Sequence, residues 1–231
     1  MSVVKRAVLL LLLLAAVSVS AVPEDCDTLK TVSREHLSQV FGDWVLVWSI
    51  SNNENKTSLL TNLNSSFVEL QLTSDNSTLL FKERNQFKDM SCTKYVINLT
   101  IPSEASEKCQ LTSTGGTFEK DGVETVYETT ATVEFYETCK DCMTMFYNGT
   151  EGHFLLHYRR EGQHQDAEQW ASAHDDHKKL AECLNFPHDN PFIYDGAADP
   201  CPKTAEAPVA AEVPAATEAP AATEAPAAAE S

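Results

Sequence analysis

The sequence predicts an all-β fold: a closed, up-and-down barrel of eight antiparallel strands, with one C-terminal α-helix packed outside it. Three observations carry that expectation. Apolar residues recur at period two through successive segments between residues 42 and 160. The segments are joined by short, turn-rich connections of the hairpin kind. The period changes to helical spacing in one place, Asp166 to Leu184. Consecutive strands with one polar and one apolar face favour closure, because a barrel leaves no exposed edge.

In chain order, Lys5 and Arg6 precede an unbroken apolar run, Ala7 to Val17, and small residues up to Ala21. That is the pattern of a cleavable secretory signal over residues 1–21. The run falls short of the about 20 apolar residues that cross a bilayer, so no stable membrane insertion is expected. Gly42 to Ile50 alternates around Trp44, Leu46, Trp48 and Ile50; Ser66 to Thr73 carries Val68, Leu70 and Leu72 on one parity. Ser77 to Phe87 opens with Leu79-Leu80-Phe81, and Thr93 to Ile101 alternates Tyr95, Ile97 and Leu99 against Val96, Asn98 and Thr100. Turn signals at Gly115-Gly116 and Asp121-Gly122 bracket a short strand, Thr117 to Lys120. Glu124 to Glu137 reads as one long strand, followed by Cys142 to Tyr147, a turn at Asn148-Gly149, and His153 to Arg160. In the helix Trp170, His174 and Leu184 share a face, and Pro187 ends it. Residues 203–231 are Ala, Pro, Glu and Thr with a PAATEA repeat, too poor in apolar area to fold, so a disordered tail is expected after a single domain at 22–202.

Seventeen Lys and Arg stand against 34 Asp and Glu, a net charge of −17. Phosphate binding needs the opposite sign, so nucleic acid is not an expected partner. In an exported chain the seven cysteines imply disulfides, with an odd one left over. Sequons at Asn55, Asn64, Asn76, Asn98 and Asn148 predict a glycoprotein. If Asn98 carries a glycan it faces out, and Tyr95, Ile97 and Leu99 then face in.

Gly42-Asp43-Trp44 at the start of the first strand, export, eight strands and a late helix resemble a lipocalin. That resemblance implies a Trp44 that closes the barrel floor and an Arg at the end of the last strand packed across it. Arg160 fits this role and Arg159 is its rival. The middle motif of the family is degenerate, with Thr138-Cys139-Lys140-Asp141-Cys142 in its place. The cysteine layout is similar to the alpha-1-acid glycoprotein branch, near which the fish tributyltin-binding and saxitoxin/tetrodotoxin-binding glycoproteins stand. The branch pairing implies Cys26–Cys183 and Cys92–Cys201. A third bridge, as in apolipoprotein M, implies Cys109 with Cys139 or Cys142; which of the three is free stays open.

A lipocalin implies a small-molecule site inside the barrel, and inward parity nominates Tyr95, Ile97, Tyr127, Val133, Phe135, Met145 and Phe154 as its lining. The bland alternative for each is plain core, since an eight-stranded barrel fills itself or holds one small ligand. Glu128 and Glu134 have outward parity, so no internal counter-charge is assigned. Cys139-x-x-Cys142 lacks the helix that lowers a redox thiol's pKa, and His174 with His177 lacks a third metal ligand. No catalytic residue, metal or cofactor is therefore expected. The expected function is a secreted, monomeric glycoprotein that transports or sequesters small hydrophobic or amphipathic molecules, a range that includes cationic toxins, xenobiotics and steroids. The competing class is an immunomodulatory or protein-interaction glycoprotein with a filled barrel.

Overall fold

The first strand is apolar on both faces because both are covered, one by the barrel interior and one by later chain. In the computed structural model, which describes residues 26, 29–53, 59–103, 108–150, 152–165, 173–187 and 189–202, β1 (Gly42–Ser51) pairs antiparallel with three partners. These are β2 (Leu63–Leu72), β9 (Gly152–Arg160) and the short β10 (Phe192–Ile193). Between β2 and β9 run β3 (Thr78–Phe87), β4 (Cys92–Thr100), β5 (Leu111–Lys120), β6 (Val123–Tyr127), β7 (Ala131–Tyr136) and β8 (Cys142–Gly149). Neighbours pair antiparallel except β6 and β7, which both pair with β5 and together form one member, and the β1–β9 ladder closes an eight-membered barrel. The signal-like residues 1–21, the tail 203–231, Asn55 and the start of the expected helix with Trp170 lie outside the described residues.

Two strands differ from their sequence reading. β5 begins at Leu111, ahead of Gly115-Gly116, which the sequence read as a turn. Gly116 instead sits inside the strand, where an added Cβ would lie 1.9 Å from the Val96 carbonyl oxygen, so the backbones of β4 and β5 meet there. The expected long strand Glu124–Glu137 is broken: β6 pairs with the far half of β5, and β7 with Leu111 and Thr112. Residues 128–130 between them leave the ladder.

Trp44 and Arg160 are cross-strand partners at the barrel floor, with the Arg160 guanidinium 4.1 Å from the Trp44 ring centroid. Arg160 also donates from Nη1 to the Phe41 carbonyl at 3.1 Å and from Nη2 to the Gln39 carbonyl at 3.2 Å. Trp44 Nε1 donates to the Val40 carbonyl at 2.8 Å. All three carbonyls belong to a 3-10 helix, Arg34–Val40, and the residue after it, which buries Leu37 and Val40 under the barrel. Gly42 is glycine for two reasons: its φ is +109°, and a Cβ would stand 3.0 Å from Arg160 Nη1. Arg160, not Arg159, is therefore the floor residue.

α1 (His174–Cys183) packs on the outer face of β1, where Leu180, Ala181 and Phe186 cover Trp48, Ile50 and Leu155. Inside that seam the His157 and His177 rings stack at 3.9 Å, and Trp48 meets His157 edge-on at 5.2 Å. Disulfides Cys26–Cys183 and Cys92–Cys201 form as the branch pairing implied, and they tie the end of the helix and the last described segment to the barrel. Of the three cysteines the sequence left open, Cys139 pairs with Cys142 across the β7–β8 turn and not with Cys109 as in the apolipoprotein M layout, and Cys109 is free and buried. A three-residue separation brings the two turn cysteines to a Cα distance of 4.9 Å, within bridging range.

Removing the floor clamp by Arg160→Ala should lower unfolding free energy by about 1–3 kcal/mol, from the lost stacking and paired carbonyls. Arg159→Ala should change it by less than about 0.5 kcal/mol; equal losses in urea unfolding would contradict the assignment. Burial, then the neighbouring His177, holds His157 well below its ordinary value. Burial, then His174 and Arg159, pushes His177 from 6.5 down to about 4. The folded chain keeps these rings neutral while the unfolded chain protonates them. Stability should thus be full above pH 6.5 and fall toward pH 4 by about 1.4 kcal/mol per pH unit for each ring. Urea unfolding across that window should show a shallower slope for His177→Phe; an unchanged slope would place the acid sensitivity elsewhere.

Candidate ligand-binding site

The closed wall does not fill its interior. A cavity of about 310 Å³ lies between the floor and the opposite end, bounded by Leu46, Phe81, Ile97, Met145 and Leu156 in its depth. Phe87, Phe118, Tyr127, Tyr147, Phe154 and Leu59 and Leu60, in the helical turn at 59–62 ahead of β2, also face it. The register explains the clustering. Tyr95 stands opposite Phe118, and Tyr147 opposite Phe154; opposed residues of antiparallel strands share a face. The rings meet: Tyr95 and Phe118 centroids are 4.8 Å apart, Tyr95 and Tyr127 5.3 Å, and Tyr147 and Phe154 6.0 Å.

Of the lining residues expected from sequence, Tyr95, Ile97, Tyr127, Met145 and Phe154 face the cavity. Val133 and Phe135 do not. They have the inward parity, opposite Tyr147 and Met145, but are buried to 2% and 1% within the packed core. The break before β7 sets its residues toward the filled part of the barrel, so parity gives the side of the wall and not the depth. Asn98 is exposed on the outer face of β4, Asn76 in the β2–β3 turn and Asn148 near the end of β8, while Asn64 is half-buried in β2.

The sequence reading missed Glu83 and Asn85, which also face the cavity. Leu79, Phe81, Glu83, Asn85 and Phe87 share one parity of β3, so extending the apolar alternation past Phe81 would have found both. Ser66 Oγ donates to Glu83 Oε1 at 3.2 Å. Burial raises the Glu83 carboxyl above its ordinary value against the lowering effect of Asn85 and Ser66. Burial likewise raises the Tyr127 phenol, helped by Tyr147. Among the described residues no Lys, Arg or His lines the cavity. No group of three or more His, Cys, Asp or Glu there could hold a metal ion.

The chain is 44% identical over 188 residues to saxitoxin and tetrodotoxin-binding protein 1 of Takifugu pardalis, covering 81% of this chain and 47% of that protein. It is 43% identical over 199 residues to saxitoxin and tetrodotoxin-binding protein 2 of the same fish, covering 85% and 50%. The chain is a homologue of these proteins. It spans about half the length of either relative. No protein-family model matches. Similar solved structures include lipocalin 12 from rat epididymis, at 15% identity and a TM-score of 0.48 over 70% of this chain and 85% of that one. The siderocalin Ex-FABP is another, at 16% identity and a TM-score of 0.47 over 68% and 93%. The closed eight-stranded barrel, its Trp44–Arg160 floor and the helix packed on its outer face make the fold a lipocalin barrel. No helix among the described residues is long and apolar enough to cross a membrane.

Phe135→Ala, inside the packed core, should cost about 3–5 kcal/mol of stability. Tyr127→Ala removes a half-buried ring beside space that is already empty, and should cost less than half as much. Thermal or urea unfolding separates the two; equal costs would return Phe135 to the cavity wall.

Proposed function

We propose that this homologue of the fish toxin-binding proteins is an extracellular carrier or sequestering protein that holds one small hydrophobic or amphipathic molecule in the barrel. The observation that carries this reading is the aromatic-walled cavity of about 310 Å³, the usual character of a small-molecule site. Each 100 Å² of ligand surface buried there contributes roughly 2.5 kcal/mol before the costs of binding. The names of the two relatives, which bind saxitoxin and tetrodotoxin, favour a toxin or another xenobiotic as cargo. The signal-like residues 1–21, the three disulfides and the exposed sequons Asn76, Asn98 and Asn148 support a secreted glycoprotein. Residues 203–231 are then a solubilising tail. The open interior weighs against a filled barrel that works through its outer surface alone.

Nile red, a neutral polarity-sensitive dye, should bind once per chain and be displaced competitively by apolar amines or steroids. Ile97→Trp, which places a larger ring in the cavity, should weaken dye uptake by at least about tenfold, about 1.4 kcal/mol. It should keep the β-sheet circular dichroism. Undiminished uptake by a folded Ile97→Trp protein would put the dye outside the barrel and overturn the carrier reading.

A further inference from the structure

The Cys139–Cys142 bridge is unlike the other two. Cys26–Cys183 and Cys92–Cys201 join cysteines 157 and 109 residues apart, and Cys139–Cys142 joins two that are three apart. A disulfide stabilises a fold more the longer the loop it closes, so this one adds least to stability. It is also the accessible one. Of the seven cysteines Cys139 alone is exposed, in the β7–β8 turn, with Cys142 half-buried at the start of β8. Neither lines the cavity, so cargo binding makes no use of the pair.

The ladder brings a cation to the sulfurs. Cys142 is the cross-strand partner of Arg159 on β9, and the Arg159 guanidinium reaches across the turn to donate from Nη1 to Cys139 Sγ at 3.4 Å. No helix N-terminus stands here to favour a thiolate, but Arg159 supplies a permanent positive charge in its place. The acidic neighbour Asp141 is engaged by the other arginine, with Oδ1 3.8 Å from Arg160 Nε. The turn is held independently of its sulfurs. Cys142 N–H donates to the Cys139 carbonyl, and Arg160 N–H to the Asp141 carbonyl, each at 3.0 Å. Opening the S–S bond therefore leaves the two sulfurs close enough to close it again.

We propose that Cys139–Cys142 is a reversible thiol–disulfide exchange site for small soluble thiols, with Arg159 as the group that stabilises the charged sulfur. An external thiolate attacks Cys139 Sγ, the S–S bond breaks, and its electron pair leaves on Cys142 Sγ, which takes a proton from solvent. Cys139 now carries the external group as a mixed disulfide. Negative charge is spread over three sulfurs in passing, with the guanidinium at the middle one. A second external thiolate attacks the sulfur of the bound group, which releases an external disulfide and leaves Cys139 as a thiolate beside Arg159. Two external thiols are thus oxidised to one disulfide, and the protein pair takes up their two electrons. An external disulfide runs the same steps backward and closes the bridge. Cys139 stands among Glu137, Thr138 and Lys140, exposed and hydrophilic, which suits a thiol that arrives from water.

The test equilibrates full-length protein near neutral pH with reduced and oxidised glutathione in varied ratio, traps thiols by alkylation and maps each bridge by peptide mass spectrometry. Cys139–Cys142 should open at a ratio of reduced to oxidised glutathione at least about tenfold lower than either long-range bridge, with the glutathione adduct on Cys139. Arg159→Gln should raise the ratio needed by at least about fivefold and move the alkylation of reduced Cys139 to higher pH. Arg159→Lys should restore most of both, which a merely structural role for Arg159 would not require. Arg159 lies off the floor clamp, so the variants should keep the β-sheet circular dichroism. If Arg159→Gln does not fold, the order of opening and the position of the adduct in the wild type decide. A long-range bridge that opens first, or a Cys139–Cys142 bridge that stays closed at every ratio, overturns the site. An unchanged ratio and alkylation profile in folded Arg159→Gln overturn the role of the guanidinium, and an adduct on Cys142 overturns the order of attack.

Discussion

The structure depends on closure of the sheet at β1. A strand bonded to β2 on one side and β9 on the other leaves the barrel no free edge at that seam, and eight strands are the number at which a closed sheet is just wide enough to hold a small molecule. Closure also explains why β1 is buried along nearly its whole length: one face looks into the barrel, the other is covered by α1, and β10 pairs along part of its edge. The outer cover is tied back twice, at Cys26–Cys183 and Cys92–Cys201, so that helix and terminal strap stay on the barrel they seal.

A closed wall is a container when one end is shut and the interior is only partly filled. The floor is shut by Trp44 and Arg160, and the 3-10 helix supplies the carbonyls that satisfy both polar heads. Packing is dense near the floor and around β7, where Leu111, Val133 and Phe135 meet, and it opens toward the rings of Phe118, Tyr127, Tyr147 and Phe154. Glu83 and Asn85 lie on the border between these zones. The cavity wall is thus apolar and aromatic, with two polar side chains of β3 set between Phe81 and Phe87.

Most of the fold was legible because period-two alternation and turn chemistry are local properties. Gly42, Trp44 and Arg160 could be placed from spacing and family resemblance, and so could the two long-range disulfides. The break in the long strand was not legible. Glu128, Thr129 and Thr130 continue the alternation, yet they fall where β5 passes from β7 to β6, at residues 113–115 that pair with neither, a tertiary arrangement. The third bridge stayed open because Cys109, Cys139 and Cys142 offered three pairings and the sequence pattern did not choose among them. Within the site, parity correctly turned Val133 and Phe135 inward but carried no information on height along the barrel. Glu83 was legible in principle, two positions beyond Phe81 on the same face, and was passed over because a charged residue interrupts an apolar pattern.

The central claim is that the barrel is a container with one place for cargo. Native mass spectrometry of the protein purified from its natural fluid, before and after organic extraction, tests it most directly. The account predicts a discrete, extractable mass at one per chain, or an emptied protein that takes up one apolar aromatic probe per chain. A protein that arrives empty and takes up neither apolar, cationic nor steroid probes would contradict it.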